Sequence, residues 1–304
     1  MRKTLQIRIL KSAFKCPFNS FIPYIGIINT PYMKRVICLP LILSVFLSCK
    51  SKTDDANQEN TNSRLNQSPA LIHQFKPIIG GLWVKKDYVK KVKKTKSPLE
   101  AVEKGQGITV MYIDTAKLTG DSISVPVVWN NHEGNNQSLK FQPGRNTTTI
   151  MLGNDELSYK LKKDTTLIIY HYDDKTKETN TAQYIKAMDK QPEGGLAAGM
   201  SFMINQAILS GRYEGTDASG KKIVARFTDD GKVNGMAGFT TYYVQDDLIT
   251  APLHSHDEII FNLNTKSQKA YSFIINKKTL SLYDNSEQIK SNKPAFSLKK
   301  QRNN

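Results

Sequence analysis

Two stretches of this chain share one outline, and each is a series of short apolar runs cut by turn residues. The first opens with Gly80-Gly81-Leu82-Trp83 and closes with Tyr159-x-Leu161 followed by Thr166-Leu167-Ile168-Ile169-Tyr170. The second opens with Leu209-Ser210-Gly211-Arg212-Tyr213 and closes with Tyr271-x-Phe273 followed by Thr279-Leu280-Ser281-Leu282-Tyr283. Candidate strands fall at 107–113, 122–128, 138–141, 148–152, 157–161 and 166–172 in the first half. In the second they fall at 211–215, 222–227, 238–244, 258–263, 270–275 and 279–283. Alternation such as Tyr271-Ser272-Phe273 gives one apolar and one wet face, as in antiparallel strands over a core. Asp229-Asp230-Gly231-Lys232 supplies hairpin chemistry between two of these runs. The expected fold is all-β: two small antiparallel β-barrel modules, residues 71–180 and 209–290, joined by a helix-containing linker at 181–208.

The linker breaks at Gln191-Pro192-Glu193-Gly194-Gly195, and 196–209 then reads as one apolar helix. Helical spacing of Leu196, Met200, Met203 and Ala207 predicts one buried face, either plugging a barrel mouth or packing between the modules. A second short helix is expected at 97–104, with Ser97 as N-cap and Pro98 in the first turn. Residues 291–304 read as a basic tail.

Ahead of these modules, Lys34-Arg35 precede the apolar run 36–48, which ends Leu47-Ser48-Cys49. That layout is a secretory signal peptide at 33–48. The apolar core is 13 residues, short of the roughly 20 that cross a bilayer. Ending on a cysteine, it resembles a bacterial lipoprotein box, which implies lipidation of Cys49 and removal of what precedes it. Residues 1–32 then read as an upstream extension, with Met33 the expected start. Cys16 and Cys38 go with the removed part, leaving Cys49 alone and no disulfide framework or cysteine metal site. Removal of the seven basic residues in 1–48, which hold no acid, lowers the formal charge from +16 to +9. Residues 49–70 are polar and lack aromatics, the composition of a flexible tether. Lys52-Thr53-Asp54-Asp55 resembles the export signals of Bacteroidetes surface lipoproteins, and Asp114-Thr115-Ala116 and Asp121-Ser122-Ile123 resemble that group's glycosylation triplets. The implied location is the bacterial outer membrane, on its periplasmic or cell-surface side.

The Gly-x-Trp opening at Gly81 and Trp83, a short helix and a run of antiparallel strands resemble the lipocalin-like families. The second half, from Gly211-x-Tyr213 through Phe227-Thr228-Asp229-Asp230-Gly231-Lys232-Val233, is similar to the small lipocalin-like domains of Bacteroidetes lipoproteins. The resemblance implies that Trp83 seals the closed end of a barrel. Both halves are shorter than a full lipocalin, and short strands make a narrow barrel that side chains can fill.

Catalytic signals are weak. There is no Gly-x-Ser-x-Gly elbow and no free thiol beyond Cys49, and the paired carboxylates sit in turn contexts, so no enzyme and no cofactor are expected. His254, His256 and Asp257 form the one short ligand-type cluster, at a loop-to-strand junction without a visible third partner elsewhere. The leading expectation is a membrane-anchored, non-catalytic protein that binds a small apolar ligand or a glycan. Trp83, Tyr112, Trp129, Tyr159, Phe227, Tyr243 and Phe261 are the aromatics that would line a pocket, or else plain core. The alternative is an envelope interaction or scaffold protein with filled barrels. Its contact surface would be Lys85, Lys86, Lys90, Lys91, Lys93, Lys94 and Lys96, seven lysines in twelve residues. They form either a ridge facing anionic lipid or glycan, or a solvated helix face or guarded edge strand. Outside the cytoplasm, nucleic acid is not the expected partner.

Overall fold

The computed structural model describes residues 67–236, 238–247 and 255–302. Cys49, the signal peptide, the extension, most of the tether and His254 lie outside the described residues.

Two eight-stranded antiparallel sheets form the body of the described residues, each a meander whose last strand returns to its first. In the first, β1 (Gly81–Lys85), β2 (Ile108–Ile113), β3 (Ser122–Trp129), β4 (Glu133–Pro143), β5 (Ile150–Leu152), β6 (Asp155–Lys160), β7 (Thr166–Tyr172) and β8 (Thr179–Met188) form a closed barrel. Closure is by β8 on β1, with Trp83 opposite Lys186. The second contains β9 (Gly211–Asp217), β10 (Lys222–Phe227), β11 (Val233–Asn234), β12 (Tyr242–Val244), β13 (Glu258–Phe261), β14 (Lys269–Asn276), β15 (Thr279–Tyr283) and β16 (Phe296–Lys300). Here β16 pairs with β9, setting Lys300 opposite Tyr213. The join between β11 and β12 is a single bridge, Lys232 to Thr241, flanked by backbone bonds from Val233 to Thr240 (2.9 Å) and from Tyr242 to Gly231 (2.7 Å). The fold is two lipocalin-like barrels in tandem.

Both barrels extend past the boundaries expected from sequence. Strand β8 carries the first to Met188, inside the presumed linker, and β16 lies within the presumed basic tail. The reason is closure: without β8 and β16, β1 and β9 would each present an unpaired edge.

A helix leads into the first strand of each barrel. Helix α1 (Ser68–Ile79) starts at a proline-bearing first turn and buries Leu71, Phe75 and Ile79 among the inward side chains of the first barrel. It ends one residue before β1, and the Trp83 indole N–H donates to the Ile79 carbonyl at 2.7 Å. Helix α3 (Ala197–Ile208) leads into β9, and the Tyr213 hydroxyl donates to the Leu209 carbonyl, also at 2.7 Å. The cross-strand lysine then lies over the ring in both barrels: Lys186 Nζ is 5.4 Å from the Trp83 ring, and Lys300 Nζ is 5.9 Å from the Tyr213 ring. The repeat read in the sequence is therefore a repeat of closing geometry. Gly81 and Gly211 sit at φ +120° and +141°, with Met188 and Lys300 packed where a Cβ would go.

Between the barrels lies a helical layer of α3 and α2 (Lys86–Thr95). Outward residues of the first barrel, Leu82, Val84, Val110 and Val128, join Tyr88, Val89 and Val92 of α2 and Met200, Ile204 and Ile208 of α3. This cluster runs on into the interior of the second barrel through Tyr213, Phe227 and Phe261. The buried face of α3 is centred on Met200, Ile204 and Ile208, while Leu196, Met203 and Ala207 are only partly buried beside it. The short helix expected at 97–104 is a 3-10 turn, Leu99–Lys104, and Ser97 Oγ accepts from the Glu100 amide at 3.0 Å.

Candidate functional site

Both barrel interiors are filled by side chains. In the first, Trp83, Met111, Val125, Leu139, Phe141, Leu157 and Leu167 are fully buried against one another and against α1. Tyr159 packs edge-on to Phe75 at 5.1 Å, and Trp129 is partly buried against the same cluster. In the second, Phe227 and Phe261 belong to a chain of ring contacts that also holds Tyr213, Tyr242, Phe239 and Tyr271. Of the other expected pocket aromatics, Tyr112 faces the interbarrel layer and Tyr243 binds Asp246. The seven are thus divided among two interiors and the layer between them.

The interbarrel seam gathers acidic and phenolic groups. Asp246 is buried, and its carboxylate accepts from Tyr243 OH at 2.7 Å and Ser201 Oγ at 2.9 Å. Burial pushes its pKa up to about 6 despite those two bonds. Its backbone carbonyl accepts from Asn131 Nδ2 of the first barrel at 3.0 Å. Asp257 accepts from the Leu99 amide at 2.9 Å, tying β13 to the 3-10 turn, and burial raises its pKa as well. His132 Nδ1 lies 2.7 Å from Asp247, which raises the imidazole pKa. The Tyr88 hydroxyl, fully buried near these carboxylates, has no hydrogen-bond partner among the described residues. Asp257, a weak metal-ligand candidate in the sequence, thus ties the second module to the 3-10 turn of the first. His256 bonds to Ser255 at 2.9 Å.

The lysine run folds as α2, with Tyr88, Val89 and Val92 turned inward and Lys90, Lys93 and Lys94 exposed. Its other lysines are engaged locally. Lys85 donates to the Gln106 carbonyl, Lys86 bonds Gln183 at 3.1 Å, and Lys91 faces Glu103 at 3.9 Å. Lys96 reaches the Ala207 carbonyl at 3.4 Å, so its ammonium sits at the C-terminal end of α3, where the helix dipole favours a cation.

Next to that helix end, a groove of about 1220 Å³ runs along the outside of the second barrel. Strands β10, β9 and β16 form its floor, with the β10–β11 turn and α3 at one end. Register pairs Arg226 with Arg212, and sets Glu214 between Val224 on one side and Lys299 on the other. Lys278, Lys300 and Arg302 complete a set of six cations, against Glu214, Asp229 and Asp230. The acids are largely committed: Glu214 binds Arg212 at 2.9 Å and Asp230 binds Lys232 at 2.7 Å. Arg226, Lys278, Lys299 and Arg302 make no ion pair among the described residues. Lys300 is pushed below its usual range by burial and then by the nearby charge of Lys96, with Asp229 opposing.

Sequence reading missed this groove. Its cations come from four separate segments, and only β16–β9 pairing assembles them. The one signal was Lys299-Lys300-x-Arg302, read as a tail.

The fold and these surfaces define a tandem lipocalin-like barrel protein with packed interiors and a cationic outer groove. No family model, curated protein or solved structure matches this chain.

Proposed function

We propose that this chain is a lipid-anchored, non-catalytic protein of the bacterial cell envelope that works as an interaction protein through the outside of its barrels. The observation that carries this reading is the packing of both interiors by their own side chains. Trp83, Phe141, Phe227 and Phe261 sit at 0–1% exposure where a ligand would otherwise bind. The signal-like run ending at Cys49 supports anchoring by a lipid on that thiol, at the outer membrane and on its periplasmic or surface side. Among the described residues no helix is long and apolar enough to cross a membrane, which is compatible with attachment by acyl chains.

Native mass spectrometry of the chain purified from its host envelope tests the reading. The expected spectrum shows the chain from Cys49 onward plus acyl mass, with nothing else carried. A co-purifying lipid or other small apolar molecule at one per chain would restore the internal-ligand reading. A soluble, unacylated product would remove the anchor.

A further inference from the structure

We propose that the outer groove of the second barrel is a binding site for an acidic polysaccharide, a sugar polymer bearing carboxylate or sulfate groups. The inference rests on the surface-acting reading above and supplies its partner.

Charge comes first. Among the described residues four cations in the groove, Arg226, Lys278, Lys299 and Arg302, have no ion-pair partner, while Glu214 and Asp230 are already held by Arg212 and Lys232. Arg226 and Arg212 are direct cross-strand partners, and like charges so placed destabilise a sheet unless a counter-charge lies between them. Glu214 serves Arg212, leaving the Arg226 guanidinium, a planar fork suited to carboxylate or sulfate, open to a ligand. The surface continues past the groove: Lys300 feels Lys96, and Lys96 feels Lys93 of α2.

Shape sets the size of the occupant. The groove volume, about 1220 Å³, exceeds the roughly 300–1,000 Å³ of ordinary small-ligand pockets. Arg226 and Lys299 lie on strands either side of β9, two interstrand spacings or about 10 Å apart across the sheet. One small anion does not span that separation; a chain with repeated acids does.

Lining chemistry selects the polymer. Val224 is 54% exposed on the floor, with Phe202 half-buried at one end. They offer apolar ground for the C–H face of a sugar ring. A single-stranded nucleic acid needs exposed aromatic faces for its bases, and the other lining aromatic, Phe227, is buried. A bilayer is poorly matched to a concave site whose rim carries Asp229 and Asp230.

The test uses the full chain in detergent and a chondroitin sulfate octasaccharide, with titration calorimetry as the readout. Expected is saturable one-to-one binding that weakens as salt rises, with neutral maltooctaose not bound. Arg226→Glu with Lys299→Glu should weaken it about tenfold or more, whereas Lys162→Glu with Lys163→Glu, the same charge change on the first barrel, should alter it less than about twofold. Arg226→Gln with Lys299→Gln, checked for an unchanged melting temperature, should give an intermediate loss. Equal losses from groove and control pairs would overturn the site. Tighter binding to a single-stranded oligonucleotide or to phosphatidylglycerol vesicles would overturn the ligand class. A chain that emerges bare from its host yet ignores the octasaccharide removes the polysaccharide while sparing the surface-acting reading; a carried internal lipid removes both.

Discussion

Asp246 shows what one buried carboxyl does at the seam between the barrels. Desolvation opposes its charged form more strongly than the Tyr243 and Ser201 hydroxyls favour it, which lifts its pKa to about 6. An acid whose folded pKa is raised binds its proton more tightly folded than unfolded. Its contribution to stability is therefore complete below the unfolded value near 4 and is lost as pH rises through about 6. The rise from the ordinary value to about 6 corresponds to roughly 3 kcal/mol. Asp257, raised by burial, and His132, raised by Asp247, act with the same sign, while the Tyr88 and Tyr243 phenols nearby stay neutral. Urea unfolding should thus show greater stability at pH 5 than at pH 8. Asp246→Asn should flatten that slope and raise stability at pH 8, since its amide keeps an acceptor for Tyr243 and offers a donor to Ser201. An unchanged slope in the variant would assign the pH dependence elsewhere.

At the scale of elements, the close approach is α3 on β1. A Cβ built on Gly199 would lie 2.1 Å from Leu82 Cδ2, and both residues are buried. Alanine is the better helix former by about 1 kcal/mol, but overpacking a filled interface costs about 1–3 kcal/mol. Gly199→Ala is expected to destabilise the protein, and Leu82→Ala in the same chain should cancel part of that loss, a non-additivity that a double-mutant cycle reads directly. Independent, additive effects would mean the helix simply shifts. Sequence made α3 visible because its apolar residues recur at helical spacing, and β7, β10 and β15 because β-branched and aromatic runs end in turn residues. It left β8 and β16 unread: Thr179–Met188 and Phe296–Lys300 are polar-rich strands whose identity comes from the edge they close. The lysine run was ambiguous for a related reason. Its buried trio Tyr88, Val89 and Val92 falls at i, i+1 and i+4, a helical stripe of little more than one turn, and packing against α3 settles it as a helix. The groove was illegible altogether, since four distant segments supply its charges.

For the whole molecule, the consequence of the helical layer is that the barrels share a core. Leu82, Val84 and Val110 face outward from the first barrel, yet they belong to the same apolar cluster as Phe261, Phe273 and Leu282 inside the second. Pulling the barrels apart would expose α2, α3 and that outward face together, at about 25 cal/mol for each Å² of apolar surface. The segment that joins the modules takes part in this packing, because α3 is itself part of the core. Unfolding should accordingly be one cooperative transition, not two. Ile204 is fully buried at the centre of the layer, and truncating such a residue to alanine costs about 2–5 kcal/mol. With Ile204→Ala, hydrogen exchange of the slowest amides should accelerate to the same extent in β2–β3 and in β14–β15, because both report the same global opening. Acceleration confined to the second barrel, with β2–β3 unchanged, would show that the first barrel stands alone and that the shared core is a contact between separate domains.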